Sequence, residues 1–194
     1  VFRYDKRVGQ YRGESGRFVS PAQVAVVVAE SVESLADRLE GYAEQMVRGK
    51  LSIANFQLSS AADIKDVHIQ LGLLASGGEK LDDSINKELS SQFSRLKKFG
   101  SEITEGNLSV PQIKTRVRAY ANSAKISFYS TEISSKSRSG IKTGKRRLDN
   151  QSKHCRSCLR YAGLGYVSLS DLIAPGIDCE CSYGCKCSIV YRYY

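Results

Sequence analysis

All six cysteines of this 194-residue chain, and one of its two histidines, fall within the 34 residues from His154 to Cys187. Cys155-Arg-Ser-Cys158 is a C-x2-C knuckle, and Cys179, Cys181, Cys185 and Cys187 follow as C-x-C-x3-C-x-C. Two sequence-separated groups of thiols at this distance are how zinc ribbons close a tetrahedron. The first turn offers two thiolates to one face and the returning segment supplies the others. The second half departs from C-x2-C. Residues two apart on an extended strand point to opposite faces. If these stretches are extended, one thiol of Cys179 and Cys181, and one of Cys185 and Cys187, faces the ion while the other packs or stays free. His154 is the weaker ligand candidate, because its neighbour Cys155 already fills that corner.

Three chemistries compete for these residues. A structural zinc site with four cysteines is the first. Three disulfides are the second; the even count allows them, but 154 cysteine-free residues precede the cluster and no secretory signal opens the chain. A redox pair is the third, yet C-x-x-C in that role belongs in a β/α unit, and no such pattern surrounds Cys155 and Cys158. A catalytic zinc would need an open position and a placed acid or base, and Asp171, Asp178 and Glu180 form no recognisable motif. Elsewhere, His68 has no cysteine or second histidine near it in sequence and reads as a surface or packing residue. Neither a phosphate-binding G-x-x-x-x-G-K-[ST] nor a G-x-S-x-G is present. The chain is expected not to be an enzyme.

The elements that must position the cysteines are mostly helical. Ser20-Pro21 is an N-cap followed by proline at the first helical position. Val24, Val28, Val32, Leu35, Leu39, Tyr42 and Met46 then make one apolar stripe, and Gly49 ends it. A second stripe, Ile53, Phe56, Ile64, Val67, Leu71 and Leu74, starts near Ser52 and stops at Gly77-Gly78, with a weak, polar stretch over Leu58 to Ala62 where a break is possible. A third runs Ile85, Leu89, Phe93, Leu96, Phe99 and Ile103. A fourth, opened by Ser109 and Pro111, carries Ile113, Val117, Ala121, Ala124 and Phe128. The fold class expected is mainly α: a long-helix bundle with a small C-terminal zinc-ribbon-like β module. Residues 1–19, basic and aromatic-dotted, form an extended arm that orders on a partner or on the body. Residues 20–138 are the helical body and 139–194 the basic, cysteine-rich module, with Ser134 to Gly140 as a linker. Glu30, Glu33, Asp37 and Glu40 are a wet face of the first helix.

Charge adds a partner class. Lys and Arg number 29 against 20 acids, giving +9, a balance that favours acidic surfaces such as nucleic acid. Residues 136–161 concentrate nine bases and one acid, Asp149. Within that run Lys142, Lys145, Arg146 and Arg147 are the candidate phosphate contacts, against the plainer reading of a solvated face. The longest apolar run, Val24 to Ala29, is six residues, too short to span a membrane.

The C-terminal residues resemble a known family. His154-Cys155-x2-Cys158-x3-Ala162-Gly163-x-Gly165, then Leu172-x2-Pro175-Gly176, then Cys181-x3-Cys185-Lys186-Cys187 and a closing Tyr191-Arg192 are similar to the ending of tailed-phage minor head proteins, also called head morphogenesis proteins. Tyr11-Arg12-Gly13-x2-Gly16-Arg17-Phe18-Val19-Ser20, ahead of a long helical region, is similar as well. Cys181-Ser-Tyr-Gly184 stands where the family has His-Pro-Asn before its terminal C-x-C, so a cysteine replaces a histidine ligand, and Cys179 is extra. Carried over by position, the resemblance implies a zinc ligand set of Cys155, Cys158, Cys181 and Cys185, with Cys187 as substitute. It also implies a structural role in head assembly or genome delivery. The protein would be made in the host cytoplasm and reside in the virion, inside the capsid or at the portal vertex. Its partners would be the portal protein, the major capsid protein or scaffold, and packaged DNA held non-specifically, with no membrane. A zinc-ribbon DNA-binding protein is the alternative. Segments near Ile141 to Leu148, Tyr166 to Leu169 and Ser188 to Tyr193 would form the module's sheet, with Val190, Tyr191, Tyr193 and Tyr194 favouring a strand.

Overall fold

The computed structural model describes residues 3–5, 10–78, 83–181 and 185–192. Residues 1–2 and 6–9 of the expected arm, residues 182–184 of the terminal motif, and Tyr193 and Tyr194 lie outside the described residues. Four long helices make the body, as the stripes predict. The first, α1 (Pro21–Val47), opens on a reciprocal cap: the Gln23 N–H donates to Ser20 Oγ at 3.2 Å, and the Ser20 N–H donates to Gln23 Oε1 at 2.9 Å. Helix α2 (Ile53–Ser76) starts behind Ser52 and stops at Gly77, whose φ of 75° is the left-handed C-cap that glycine adopts without strain. It runs unbroken through Leu58 to Ala62. Of the two serines there, Ser60 turns inward with no exposure and Ser59 is half-buried, while Leu58 turns to solvent.

Helices α3 (Asp83–Thr104) and α4 (Val110–Arg138) complete the bundle. Helix α4 packs against α1, α2 and α3, and α2 against α1 and α3. The apolar stripes meet in one core that includes Val28, Leu35, Leu39, Ile64, Leu71, Ile85, Phe99, Val117 and Phe128. Phe56, Phe99 and Tyr120 link α2, α3 and α4 through ring centroids 6.0 and 5.8 Å apart. On the acidic face of α1, Glu30, Glu33 and Asp37 are exposed as expected and Glu40 is half-buried, and Arg118 of α4 reaches Glu33, Asp37 and Glu40.

One expectation is corrected here. The linker expected from Ser134 is the last part of α4, which continues to Arg138 because Ser135 and Lys136 are buried. The Lys136 ammonium lies 5.3 Å from the ring centres of both Tyr11 and Tyr191, so its helical turn is held from two sides. The described residues of the N-terminal arm are extended and order on the body, one of the two outcomes expected for them, and they pair as a sheet. Strands β1 (Arg3–Asp5), β2 (Gln10–Arg12) and β3 (Phe18–Val19) pair antiparallel in that order, with Tyr11 opposite Val19. Tyr11 is buried in the bundle core.

Beyond Gly140 the chain forms β4 (Thr143–Arg147), α5 (Arg156–Gly163), β5 (Val167–Ser168) and β6 (Ser188–Arg192). The sheet order is β5-β4-β6, antiparallel throughout, with Gly144 opposite both Val167 and Tyr191 and Arg146 opposite Ile189. All three expected strand segments are present. A Cβ on Gly144 would sit 2.9 Å from Leu172 Cδ2, so the absent side chain lets the segment leading to the cysteines pass close over the sheet. No helix among the described residues is long and apolar enough to cross a membrane.

Candidate metal centre

The C-x2-C knuckle is the start of α5. Cys155 is its N-cap, and the Cys158 N–H donates to Cys155 Sγ at 3.4 Å. A helix N-terminus carries unpaired N–H groups and partial positive charge, a setting that favours thiolates. Burial pushes the Cys155 thiol up, but hydrogen bonds from the backbone N–H groups of Cys158 and Cys181 outweigh it and hold the thiol at about 7. Glu180 closes the same end, its carboxylate accepting from the Arg156 N–H at 3.2 Å.

The returning segment is turned, not extended, around Cys179. Asp178 sits at a φ of 46°, and the Tyr161 hydroxyl of α5 lies 2.9 Å from its carbonyl oxygen and 2.6 Å from its carboxylate. The turn removes the strand alternation that would have parted the first pair, and Cys179 and Cys181 bring their sulfurs within 3.6 Å. Cys158 Sγ lies 3.4 Å from Cys181 Sγ and 3.6 Å from Cys185 Sγ. The sulfurs of Cys158, Cys179, Cys181 and Cys185 all fall within 4.8 Å of one another and could hold a metal ion. A tetrahedral ion with metal–sulfur bonds of about 2.3 Å needs sulfurs about 3.8 Å apart, so this donor set fits. All six cysteines are free thiols.

Of the ligand set carried over from the resemblance, Cys158, Cys181 and Cys185 are in this group and Cys179 is its fourth member. Cys155 stands beside it, 3.5 Å from Cys181 Sγ. Cys187 is buried, with His154 Nδ1 4.0 Å from its sulfur. In the Cys185–Cys187 pair, the hydrogen bond from the Cys187 thiol holds Cys185 down, and the same bond holds the Cys187 proton in place. Burial drives Cys158 up to about 11. So many thiols in one buried place cannot all ionise by themselves; a bound cation reverses that cost.

The four basic candidates divide. Arg146 does not reach solvent: it is 2 % exposed, because the alternation of β4 turns Gly144 and Arg146 inward. One terminal nitrogen donates to the carbonyls of Ile173 and Ala174, both at 2.7 Å, and the other lies 3.8 Å from Cys158 Sγ. It is therefore a buttress of the sulfur centre and unavailable to a phosphate. Lys142 and Arg147 are exposed, and the Lys145 ammonium lies 5.0 Å from the Tyr166 ring centre. The centre is tied to the bundle by Tyr129 of α4, whose hydroxyl donates to the Cys187 carbonyl at 3.3 Å.

The other histidine serves packing. His68 is fully buried, with Nδ1 2.8 Å from Ser127 Oγ and Nε2 3.1 Å from Ser123 Oγ. Ser123 already donates to the Tyr120 carbonyl, so Nε2 carries the proton and Nδ1 accepts from Ser127. Burial lowers His68 from 6.5 to about 4. Comparison of the chain with known protein families, with curated proteins and with solved structures finds no match.

Proposed function

We propose that this chain is a structural, non-enzymatic component of a tailed-phage head: a minor head protein docked near the portal or the inner capsid face, with its C-terminal module held by zinc. One observation carries the reading. The residues through which the sequence resembles head morphogenesis proteins, Cys155, Cys158, Cys181, Cys185, Cys187 and Tyr191, belong to one folded module whose thiols close on each other. Four thiols placed to fill all four corners of a tetrahedral ion suit a metal that pins structure, whereas a catalytic ion keeps a position open for substrate. Sulfur-only tetrahedral donation suits zinc among the common divalent ions. The helical body offers rigid surface for the portal, capsid or scaffold partner, and the net charge of +9 suits a DNA-filled neighbourhood.

Cross-linking mass spectrometry on purified particles from a lysate expressing the chain tests this. Links from α1 to α4 onto a portal-like protein support it, and absence of the chain from both particles and their assembly intermediates overturns it. The second reading, a zinc-ribbon DNA-binding protein, is favoured by the exposure of Lys142, Arg147, Lys153, Arg156 and Arg160 on the module. It expects tight binding to free duplex with a steep salt slope.

A further inference from the structure

We propose that the cysteine centre is binuclear: two metal ions share the Cys158 sulfur, and His154 is a ligand of the second. The inference rests on reading the centre as a metal site and is independent of the virion role. A tetrahedral site takes four donors, and two such sites with one common corner take seven. The module assembles seven, the six thiols and His154. One ion on Cys158, Cys179, Cys181 and Cys185 would leave Cys155 and Cys187 against its ligands, and His154 against Cys187, without work.

Around Cys158 the remaining donors lie to two sides, with Cys185, itself within 4.8 Å of Cys179 and Cys181, where the two sides meet. On one side Cys181 lies 3.4 Å from Cys158, 3.5 Å from Cys155 and 3.6 Å from Cys179. These four donors, Cys155, Cys158, Cys179 and Cys181, make the first site. On the other side Cys185 lies 3.6 Å from Cys158, Cys187 lies against both, and His154 Nδ1 is 4.0 Å from Cys187 Sγ. These make the second. Cys158 is 1 % exposed and touches both groups, as a bridging thiolate must.

His154 decides between a ligand and a bystander. Its Nε2 lies 2.7 Å from the Asp149 carbonyl oxygen. A carbonyl only accepts, so Nε2 carries the proton and Nδ1 keeps its lone pair, directed to the sulfur side. Metal-bound imidazoles are held in this way, with the distal N–H donated to a carbonyl or carboxylate that fixes tautomer and ring orientation. His68 provides the contrast within the same chain: both of its nitrogens are satisfied by serine hydroxyls and neither faces a sulfur.

Metal content of the full-length protein, dialysed against metal-free buffer and measured by inductively coupled plasma mass spectrometry, tests the proposal. Two zinc ions per chain are expected. One per chain overturns the second site and leaves the metal reading standing; none overturns both. Replacing zinc with cadmium-113 should give two resonances with a mutual coupling through the shared sulfur, and two uncoupled resonances overturn the bridge. His154→Ala and, separately, Cys187→Ser should each lower the content from two ions to one with helical ellipticity unchanged. Retention of both ions in the two variants overturns the assignment of these donors.

Discussion

The hydroxyl of Tyr191, in the last strand, donates to Glu132 Oε2 near the end of α4 at 3.0 Å. Tyr11, from the N-terminal sheet, donates to Oε1 of the same carboxylate at 3.1 Å. Both ends of the described chain thus close on one buried acid. Burial raises the pKa of Glu132, and the nearby Lys136 ammonium and the two phenols oppose that rise. A carboxylate taken out of water is tolerated only where its lone pairs are satisfied, so this cluster fixes how the module and the N-terminal sheet sit on the bundle.

Tyr191→Phe removes one of those donors and should lower stability by about 1–2 kcal/mol. Tyr11→Phe should cost a similar amount. Because the two hydroxyls share one acceptor, the double variant should depart from the sum of the singles. Urea unfolding midpoints at constant m-value measure all three, and strict additivity would show that the two ends do not act through Glu132.

His68 makes acid sensitivity predictable. Its pKa is about 4 in the folded protein and 6.5 when exposed, so below 6.5 the unfolded chain takes up a proton that the buried ring refuses. Stability is therefore full above pH 6.5 and falls as pH drops toward 4, by about 3 kcal/mol over the whole interval. His68→Gln should flatten that part of the stability–pH curve whatever its cost at neutral pH. An unchanged slope between pH 6.5 and 4 in the variant would exclude His68 as its source.

Loss of metal should act locally first. The main core is built mostly from α1 to α4, joined by Tyr11, Ala174 and Ile189, and the sulfur centre forms a separate cluster in α5 and the segments around Cys179 and Cys185. Cys158→Ser, or removal of metal by a strong chelator, should leave most of the helical ellipticity in place. Amide hydrogens of β4 to β6 should exchange faster while those of α2 stay protected. Global loss of ellipticity would mean that the module and bundle fold as one unit.

The bundle was legible because each helix shows its buried face at a period the residue types reveal, as with Val24, Val28, Val32 and Leu35. The module's last strand was legible from the strand preference of residues such as Val190 and Tyr191, without a buried-face period. What escaped depends on partners distant in sequence. Ser134 to Gly140 reads as a linker by composition, and it is Tyr11 and Tyr191, distant in sequence, that pack on Lys136 in the last turns of α4. Cys179 reads as surplus until a turn at Asp178 brings it to Cys181. His154 reads as redundant beside Cys155, yet adjacent residues leave an irregular backbone in different directions, and this ring reaches Cys187. Arg146 belongs to a basic run, and charge counting cannot tell which of four neighbours a strand turns inward. The alternation of β4 was the available signal, since positions 144 and 146 share a face whichever face is buried.

Arg146 and Arg147 should therefore separate cleanly on substitution. Arg146→Ala strands the Ile173 and Ala174 carbonyls and withdraws the fixed cation beside Cys158; hydrogen bonds from a charged donor contribute roughly 1.5–3 kcal/mol each. The variant should destabilise the module by about 3 kcal/mol or more and weaken its hold on metal. Arg146→Lys should not restore it, because an ammonium cannot span both carbonyls and the sulfur as the planar fork does. Arg147→Ala removes an exposed guanidinium whose Nε lies 3.3 Å from Ser188 Oγ. It should leave thermal stability within about 0.5 kcal/mol. If the module touches DNA through this face, Arg147→Ala lowers the slope of log K against log salt by about 1. Thermal unfolding with metal content, alongside duplex binding at several salt concentrations, reads both arms. Equal stability losses in Arg146→Ala and Arg147→Ala would contradict the inward placement of Arg146.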